Sequence, residues 1–253
     1  MNLKTNTKTA LIDLELISYS HAAKAESTGT GLQSLVEMVE FTIQSVVSAC
    51  RAQKHYLVVS GRDNFRKVLY PDYKAGRREK PALYVPLMDK LEESNASRWC
   101  KHDQLEADDL LGIMLTNGRV KNPILCSIDK DLLGVPGWHY NWNKDDWPRG
   151  VTQAEADFHW LVQLLMGDST DNIEGMKGIG IAKAQKLASA YCEKMGTPLA
   201  PIPAAQKIYE AEGFTLDAYK KCLMLISIWR SPMPAELLEN ELILEVSKTI
   251  PSL

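Results

Sequence analysis

Three short apolar runs in this chain each lead into an acid. Thr9-Ala10-Leu11-Ile12 meets Asp13, Tyr56-Leu57-Val58-Val59-Ser60-Gly61 meets Arg62-Asp63, and Pro123-Ile124-Leu125-Cys126-Ser127-Ile128 meets Asp129. Runs this short, apolar without alternation, suit strands buried on both faces of a parallel sheet. Between them, Leu32, Leu35, Val36, Val39, Ile43, Val46, Val47 and Cys50 recur at spacings of three and four, which makes one apolar stripe on a helix. Leu110, Leu111 and Met114 make a shorter one. Strands alternating with helices predict an α/β fold with a mostly parallel sheet and right-handed crossovers. Such sheets bind ligands beyond the carboxyl ends of their strands, which is where these acids stand.

The pattern changes near Val151. Residues 153–166 read as a helix, further helical stretches run to about Arg230, and a strand-like run returns only at Leu242-Ile243-Leu244-Glu245-Val246. Residues 196–204 read as a connecting loop. An α/β core over 1–150 and a helical second lobe over 151–253 are therefore expected. The 253 residues, 45% apolar and 24% charged, are enough for a substantial core and exclude a disordered or disulfide-scaffold chain. Five scattered cysteines without a Cys-x-x-Cys indicate neither a zinc site nor a disulfide framework. No apolar run is long enough to span a bilayer, and the first residues do not form a signal peptide, so no membrane association and a cytoplasmic location are expected. Without heptads or a long exposed apolar edge, a monomer is expected.

Carboxylates recur in compact groups. Glu106, Asp108 and Asp109 open a helix, Asp129 and Asp131 follow the third apolar run, and Asp168 and Asp171 sit in a Gly/Asp-rich turn. Each group alone also reads as helix-terminal acids or a polar turn. Convergence on one sheet edge favours a different reading, because so many carboxylates repel one another unless hard cations lie between them. Histidine is absent from these segments, which disfavours zinc, whereas Mg²⁺ takes oxygen ligands. Two such ions ~3.5–4 Å apart activate water and stabilise the leaving oxygen of a phosphodiester. The net charge of −3 then conceals a basic remainder. Setting aside Asp13, Asp63, Glu106, Asp108, Asp109, Asp129, Asp131, Asp168 and Asp171 leaves 23 acids against 29 bases, a balance of +6 suited to a polyanion.

Two further segments fit that partner. Residues 64–80 carry Arg66, Lys67, Lys74, Arg77, Arg78 and Lys80 interleaved with Phe65, Tyr70 and Tyr73, a pattern that grips phosphates and stacks on bases, or else a solvated loop with buried tyrosines. Gly175-Met176-Lys177-Gly178-Ile179-Gly180-Ile181-Ala182-Lys183-Ala184 is a glycine turn leading into a helix. Its free amides, with Lys177 and Lys183, can hold a backbone phosphate without reading sequence. It lacks the preceding strand and glycine spacing of a dinucleotide site.

The stretches ALIDLE, RDNFRKVLYPDYKAGR, EADDLLG, SIDKDLL and GDSTDNIEGMKGIGIAKAQKL, in this order over roughly residues 9–190, resemble the 5′–3′ exonuclease and flap endonuclease family. That family includes the nuclease domain of bacterial DNA polymerase I and stand-alone bacteriophage 5′ nucleases. The resemblance implies a PIN-like α/β core, a basic arch or gateway over about 64–100, and a helix–three-turn–helix over about 168–190. It implies two Mg²⁺ ions, with Mn²⁺ able to substitute, and hydrolysis at DNA 5′ ends, nicks or flaps giving 5′-phosphate products.

Carried over position by position, the nine acids named above match the family's metal cluster. Lys74 and Arg77 match bases that contact the reacting phosphate, beside Tyr73, and Arg66, Lys67 and Arg78 lie in the same basic stretch. Gly178 and Gly180, flanked by Lys177 and Lys183, match the duplex-gripping turn, where K⁺ can sit between backbone carbonyls, here those of Met176 and Ile179. Only 32 residues separate Tyr73 from Glu106, with Pro81 and Pro86 between them, which is short for an arch that threads flaps. The resemblance further implies a stand-alone nuclease of bacterial or phage-infected cytoplasm. Two other classes stay open: a catalytically silent DNA-junction scaffold, and a PIN-like ribonuclease acting on RNA or RNA–DNA hybrids.

Overall fold

A computed structural model describes residues 7–195 and 200–250. The chain begins with β1 (Thr9–Asp13), α1 (Leu14–Thr28), α2 (Leu32–Ala49), β2 (Lys54–Val59), α3 (Phe65–Leu69), α4 (Tyr84–Asn95), β3 (Trp99–Lys101), α5 (Ala107–Thr116), β4 (Pro123–Cys126), β5 (Gly137–Tyr140) and β6 (Arg149–Val151). It continues through α6 (Gln153–Met166), a hairpin of two-residue strands β7 (Gly167–Asp168) and β8 (Ile173–Glu174), then α7 (Ile181–Met195), α8 (Pro201–Ala211), α9 (Leu216–Ile226), α10 (Ala235–Leu238) and α11 (Glu241–Lys248).

The sheet order is β3-β2-β1-β4-β5-β6, parallel throughout except for the last pair. All three apolar runs are strands in it, and β1 is central. Alternate residues of these strands feed two different cores. Ala10, Ile12, Leu57, Val59, Ile124 and Cys126 pack with α1, α2 and α4 on one face. Leu11, Val58 and Leu125 pack with α5 and α6 on the other. Burial on both faces is why the runs show no polar alternation.

The helical region after α6 shares this second core, through Tyr209, Cys222, Leu223, Trp229 and Ile243. The sheet itself extends past residue 150, because β6 ends at Val151. Within the expected gateway, α4 packs inward with Leu87 and Leu91 fully buried, so only the turns between α3 and α4 overhang the sheet edge.

Two expectations are corrected. The run Leu242–Val246 is not a strand but lies in α11, where Asn240 accepts from the Ile243 N–H and Ile243 and Val246, three apart, face the core. A short apolar run does not by itself distinguish strand from buried helix. In the expected loop 196–204, residues 196–199 lie outside the described residues, and Pro201 begins α8 at a position where proline's fixed φ suits a first helical turn.

Candidate active site

The carboxyl ends of β2, β1 and β4 lie side by side, and the acidic cleft opens there. Asp13, the last residue of β1, caps α1 through Oδ1 and accepts from the Ser127 hydroxyl at 2.8 Å through Oδ2. Ser127 also accepts the Asp129 N–H, and Asp129 accepts the Asp131 N–H, so the loop after β4 is wound back toward β1 by its own side chains. Asp108, in the first turn of α5, comes in from the sheet face. Asp168 and Asp171 come from the β7–β8 hairpin, where Asp168 caps the turn by accepting the Thr170 N–H. Glu106, Asp108, Asp129, Asp131, Asp168 and Asp171 line one continuous depression, part of it a cavity of about 210 Å³. That is room for a phosphate and several waters, since a water occupies about 30 Å³.

The electrostatics follow from this crowding. Burial, with Glu15 and Asp129 nearby, pushes Asp13 up to about 7. Burial and the charges of Asp129, Asp13 and Glu106 raise Asp108 well above the usual carboxylate range. Asp131 is pushed up to about 6 by burial and by Asp129 and Asp168. Glu106 goes the other way. Burial would raise it, but Lys74 and Arg66 outweigh that and hold it low.

Lys74 and Arg77 stand on the rim. Lys74 Nζ pairs closely with Glu106 and lies 3.5 Å from Asp171 Oδ2. Arg77 reaches Asp171 with Nε at 2.9 Å, and Tyr73 donates its hydroxyl to Glu106 at 2.7 Å. Their backbone is tied to the hairpin: the Lys74 N–H donates to the Asp171 carbonyl and Asn172 Nδ2 to that of Asp72. Lys74 holds a left-handed conformation, φ +60°, uncommon for a residue with a Cβ and favourable only where the surroundings enforce it. By contrast, no lysine or arginine among the described residues pairs with Asp13, Asp108, Asp129, Asp131 or Asp168.

The glycine turn lies beyond the hairpin. Lys177, Gly178, Gly180 and Lys183 are exposed, while the Met176 and Ile179 side chains are buried beneath them. Gly178 has φ +78°, a left-handed conformation that favours glycine, and the Gly180 carbonyl accepts the Ala184 N–H in the first turn of α7. Lys67 and Arg78 are exposed on the side of the basic turns.

Three expected site residues are placed elsewhere. Arg66 is 3% exposed and its donors are spent internally, bidentate to Asp109 at 2.6 and 2.8 Å and on the carbonyls of Leu225 and Ser227. It cannot reach nucleic acid. Asp109 is fully buried, with both oxygens taken by Arg66 and a third bond from the Trp229 N–H, so it is withdrawn from the ligand set. Both residues instead clasp the C-terminal helices to the sheet core. Asp63 lies three residues beyond Ser60 on an exposed turn, its N–H on the Asp103 carbonyl, and it does not line the cleft.

One residue of this region is not among the expected ligands, although it ends the ALIDLE stretch. Glu15, two positions after Asp13, accepts the Ser60 hydroxyl at 2.7 Å and contacts the Tyr84 phenol. Its signal in the sequence is its closeness to Asp13. The remaining donor set is wholly carboxylate oxygen, half-buried or buried and mutually repelling, which fits hard divalent cations. Among the described residues no three His, Cys, Asp or Glu side chains stand close enough together to hold a metal ion as they are placed.

Residues 8–146 match the family model for the 5′-3′ exonuclease, N-terminal resolvase-like domain. The chain is 32% identical over 123 residues to the exonuclease of Escherichia phage T7, covering 46% of this chain and 41% of that one. It is 31% identical over 161 residues to DNA polymerase I of Treponema pallidum, covering 56% of this chain and 16% of that one. The match thus spans about two fifths of the phage relative and a smaller share of the polymerase. Among solved structures, the bacteriophage T5 flap endonuclease in a pseudo-enzyme-product complex with DNA and metal ions superposes with a TM-score of 0.61 at 16% identity, covering 95% of this chain and 97% of that one. That likeness bears on the fold.

Proposed function

The chain belongs to the 5′-3′ exonuclease family through its N-terminal resolvase-like domain, and from that premise we propose that it is a structure-specific 5′ nuclease. It hydrolyses phosphodiesters of DNA at 5′ ends, nicks or flaps and leaves 5′-phosphate products. The observation that carries this reading is the juxtaposition in one cleft of unpaired, half-buried carboxylates with Lys74 and Arg77 on the rim.

Asp13, Asp108, Asp129, Asp131, Asp168 and Asp171 are the residues that would hold two Mg²⁺ ions, with Mn²⁺ as a substitute, and Glu106 stands beside them. Bound there, such ions supply an acidified water and neutralise charge on the leaving oxygen. The protein's own part is positional and electrostatic. Lys74 and Arg77 are lent to Glu106 and Asp171 in the absence of substrate, and they turn to the reacting phosphate when DNA enters, where they offset the charge that grows in the transition state. Tyr73 holds Glu106 in place during that exchange.

The exposed Gly178–Gly180 turn with Lys177 and Lys183 grips the backbone of the adjoining duplex, and K⁺ between the carbonyls of Met176 and Ile179 would extend that grip to a phosphate. Lys67 and Arg78 steer the strand from the other side. No helix of the described residues is long and apolar enough to cross a membrane, and we place the protein in the cytoplasm as a monomer acting on DNA.

The test is Asp131→Ala assayed for cleavage and for DNA binding separately. Cleavage falls by two or more orders of magnitude, roughly the loss seen when transition-state stabilisation alone is removed, while affinity for a flap duplex holds. Unchanged turnover contradicts the assignment. Faster turnover on an RNA–DNA hybrid than on DNA would move the substrate to the hybrid.

A further inference from the structure

Three parallel strands end together at the cleft, yet only two of them deliver an acid at their tips. β1 ends on Asp13, and β4 leads through Ser127 to Asp129. β2, on the other side of β1, ends at Val59 and presents Ser60. The nearest acid after it in sequence, Asp63, sits on the exposed turn.

A carboxylate nevertheless stands at that tip. The Ser60 hydroxyl accepts the Ala107 N–H at 3.0 Å, which leaves its proton for Glu15 Oε2 at 2.7 Å. Tyr84, 4% exposed at the start of α4, stands beside the same carboxylate, and burial together with Glu15 pushes its phenol above the usual range, so it stays protonated. The Ser60 hydroxyl thus aims the glutamate, with the Tyr84 phenol beside it. That glutamate lies in the first turn of α1, two residues past Asp13, and its side chain reaches across to Ser60 beyond β2.

We propose that Glu15, not Asp63, is the carboxylate that completes the cleft on its β2 side, and that Ser60 and Tyr84 are its positioning residues. This rests on the metal-dependent reading of the cleft. No lysine or arginine among the described residues pairs with Glu15, so its carboxylate is left for a cation shared with Asp13.

Glu15→Gln decides between this role and a merely structural one. The amide oxygen still accepts from Ser60, so the fold and the local bond survive while the charge is lost. Calorimetric titration of the purified protein with Mn²⁺ is read beside cleavage of a 5′-flap duplex. The expected result for Glu15→Gln is Mn²⁺ affinity weaker by about 10–100-fold, the range for removing a group that tunes a metal site, with a matching fall in cleavage. Asp63→Asn stays within about two-fold of wild type in both, and Ser60→Ala falls between, because Glu15 is then loosened and not removed.

Mn²⁺ affinity unchanged in Glu15→Gln, or a loss carried by Asp63→Asn instead, overturns the proposal. Wild-type protein that binds Mn²⁺ but cuts no DNA would sink the nuclease reading while the titration still decides Glu15.

Discussion

Arg66 and Asp109 show how far a side chain's place can depart from its place in a motif. Arg66 lies in a basic stretch and Asp109 in an acidic triplet, so each looks like part of a functional group, yet each neutralises the other in the core. Removing one partner strands the other charge without water. Arg66→Ala is therefore expected to lose about 3–5 kcal/mol in urea unfolding, and Arg66→Lys to recover little, since an ammonium cannot reproduce the bidentate fork. Loss below about 1 kcal/mol, the scale of an exposed pair, would mean that the clasp is not what joins the two regions.

The cleft acids give a pH signature of the opposite kind. Asp13 rises from 3.8 to about 7 and Asp131 from 3.8 to about 6, so between roughly pH 4 and 7 the folded protein holds protons that the unfolded chain has released. These groups lower stability as pH rises through that window. Glu106, held low, works in the other sense only toward acid pH. In EDTA the Tm contribution of the cleft should fall from pH 5 to pH 8, and added Mg²⁺ should raise Tm more at pH 8 than at pH 5. An equal Mg²⁺ effect at both values would contradict binding to these carboxylates.

At the scale of elements, α5 is the pivot, since it carries Asp108 into the cleft and Asp109 into the clasp. It also meets the C-terminal region so closely that a Cβ on Gly112 would lie 2.2 Å from the Trp229 carbonyl oxygen. That neighbour is backbone and cannot swing aside. Gly112→Ala should cost about 1–3 kcal/mol or more and weaken cleavage by displacing Asp108, although alanine is the better helix former. A stabilised variant would show that the helix can shift freely.

How legible an element is in the sequence follows from its physics. β1, β2, β4, α2 and α6 are readable because burial on two faces, or a continuous stripe, marks the sequence itself. α1 is not, since much of its buried face is Ser18, Ala22 and Ala25, small residues that give little periodic contrast. α11 reads as a strand because four apolar or β-compatible residues in five fit either period. In the site, the acids after β1 and β4 can be placed from strand ends alone. The exchange of Asp63 for Glu15 cannot, because it depends on which side chain crosses the gap between two neighbouring strands.

The whole molecule joins opposite charges that its overall composition conceals. A chain of net charge −3 concentrates acids at one sheet edge and leaves basic turns and an exposed glycine turn beside it. That layout suits a partner that brings its own negative charge to a cation-filled cleft and lays the rest along the basic surroundings. The same arrangement explains why Lys74 and Arg77 are found on acids, since they are held close to the place where a phosphate would claim them. The most direct measurement is a 5′-flap duplex labelled at both ends, incubated with the protein and Mg²⁺ beside an EDTA control. Metal-dependent release of a labelled fragment from the 5′ side, at the flap junction or as mononucleotides, is the predicted result. Tight binding of the duplex with no cleavage in either Mg²⁺ or Mn²⁺ would contradict it.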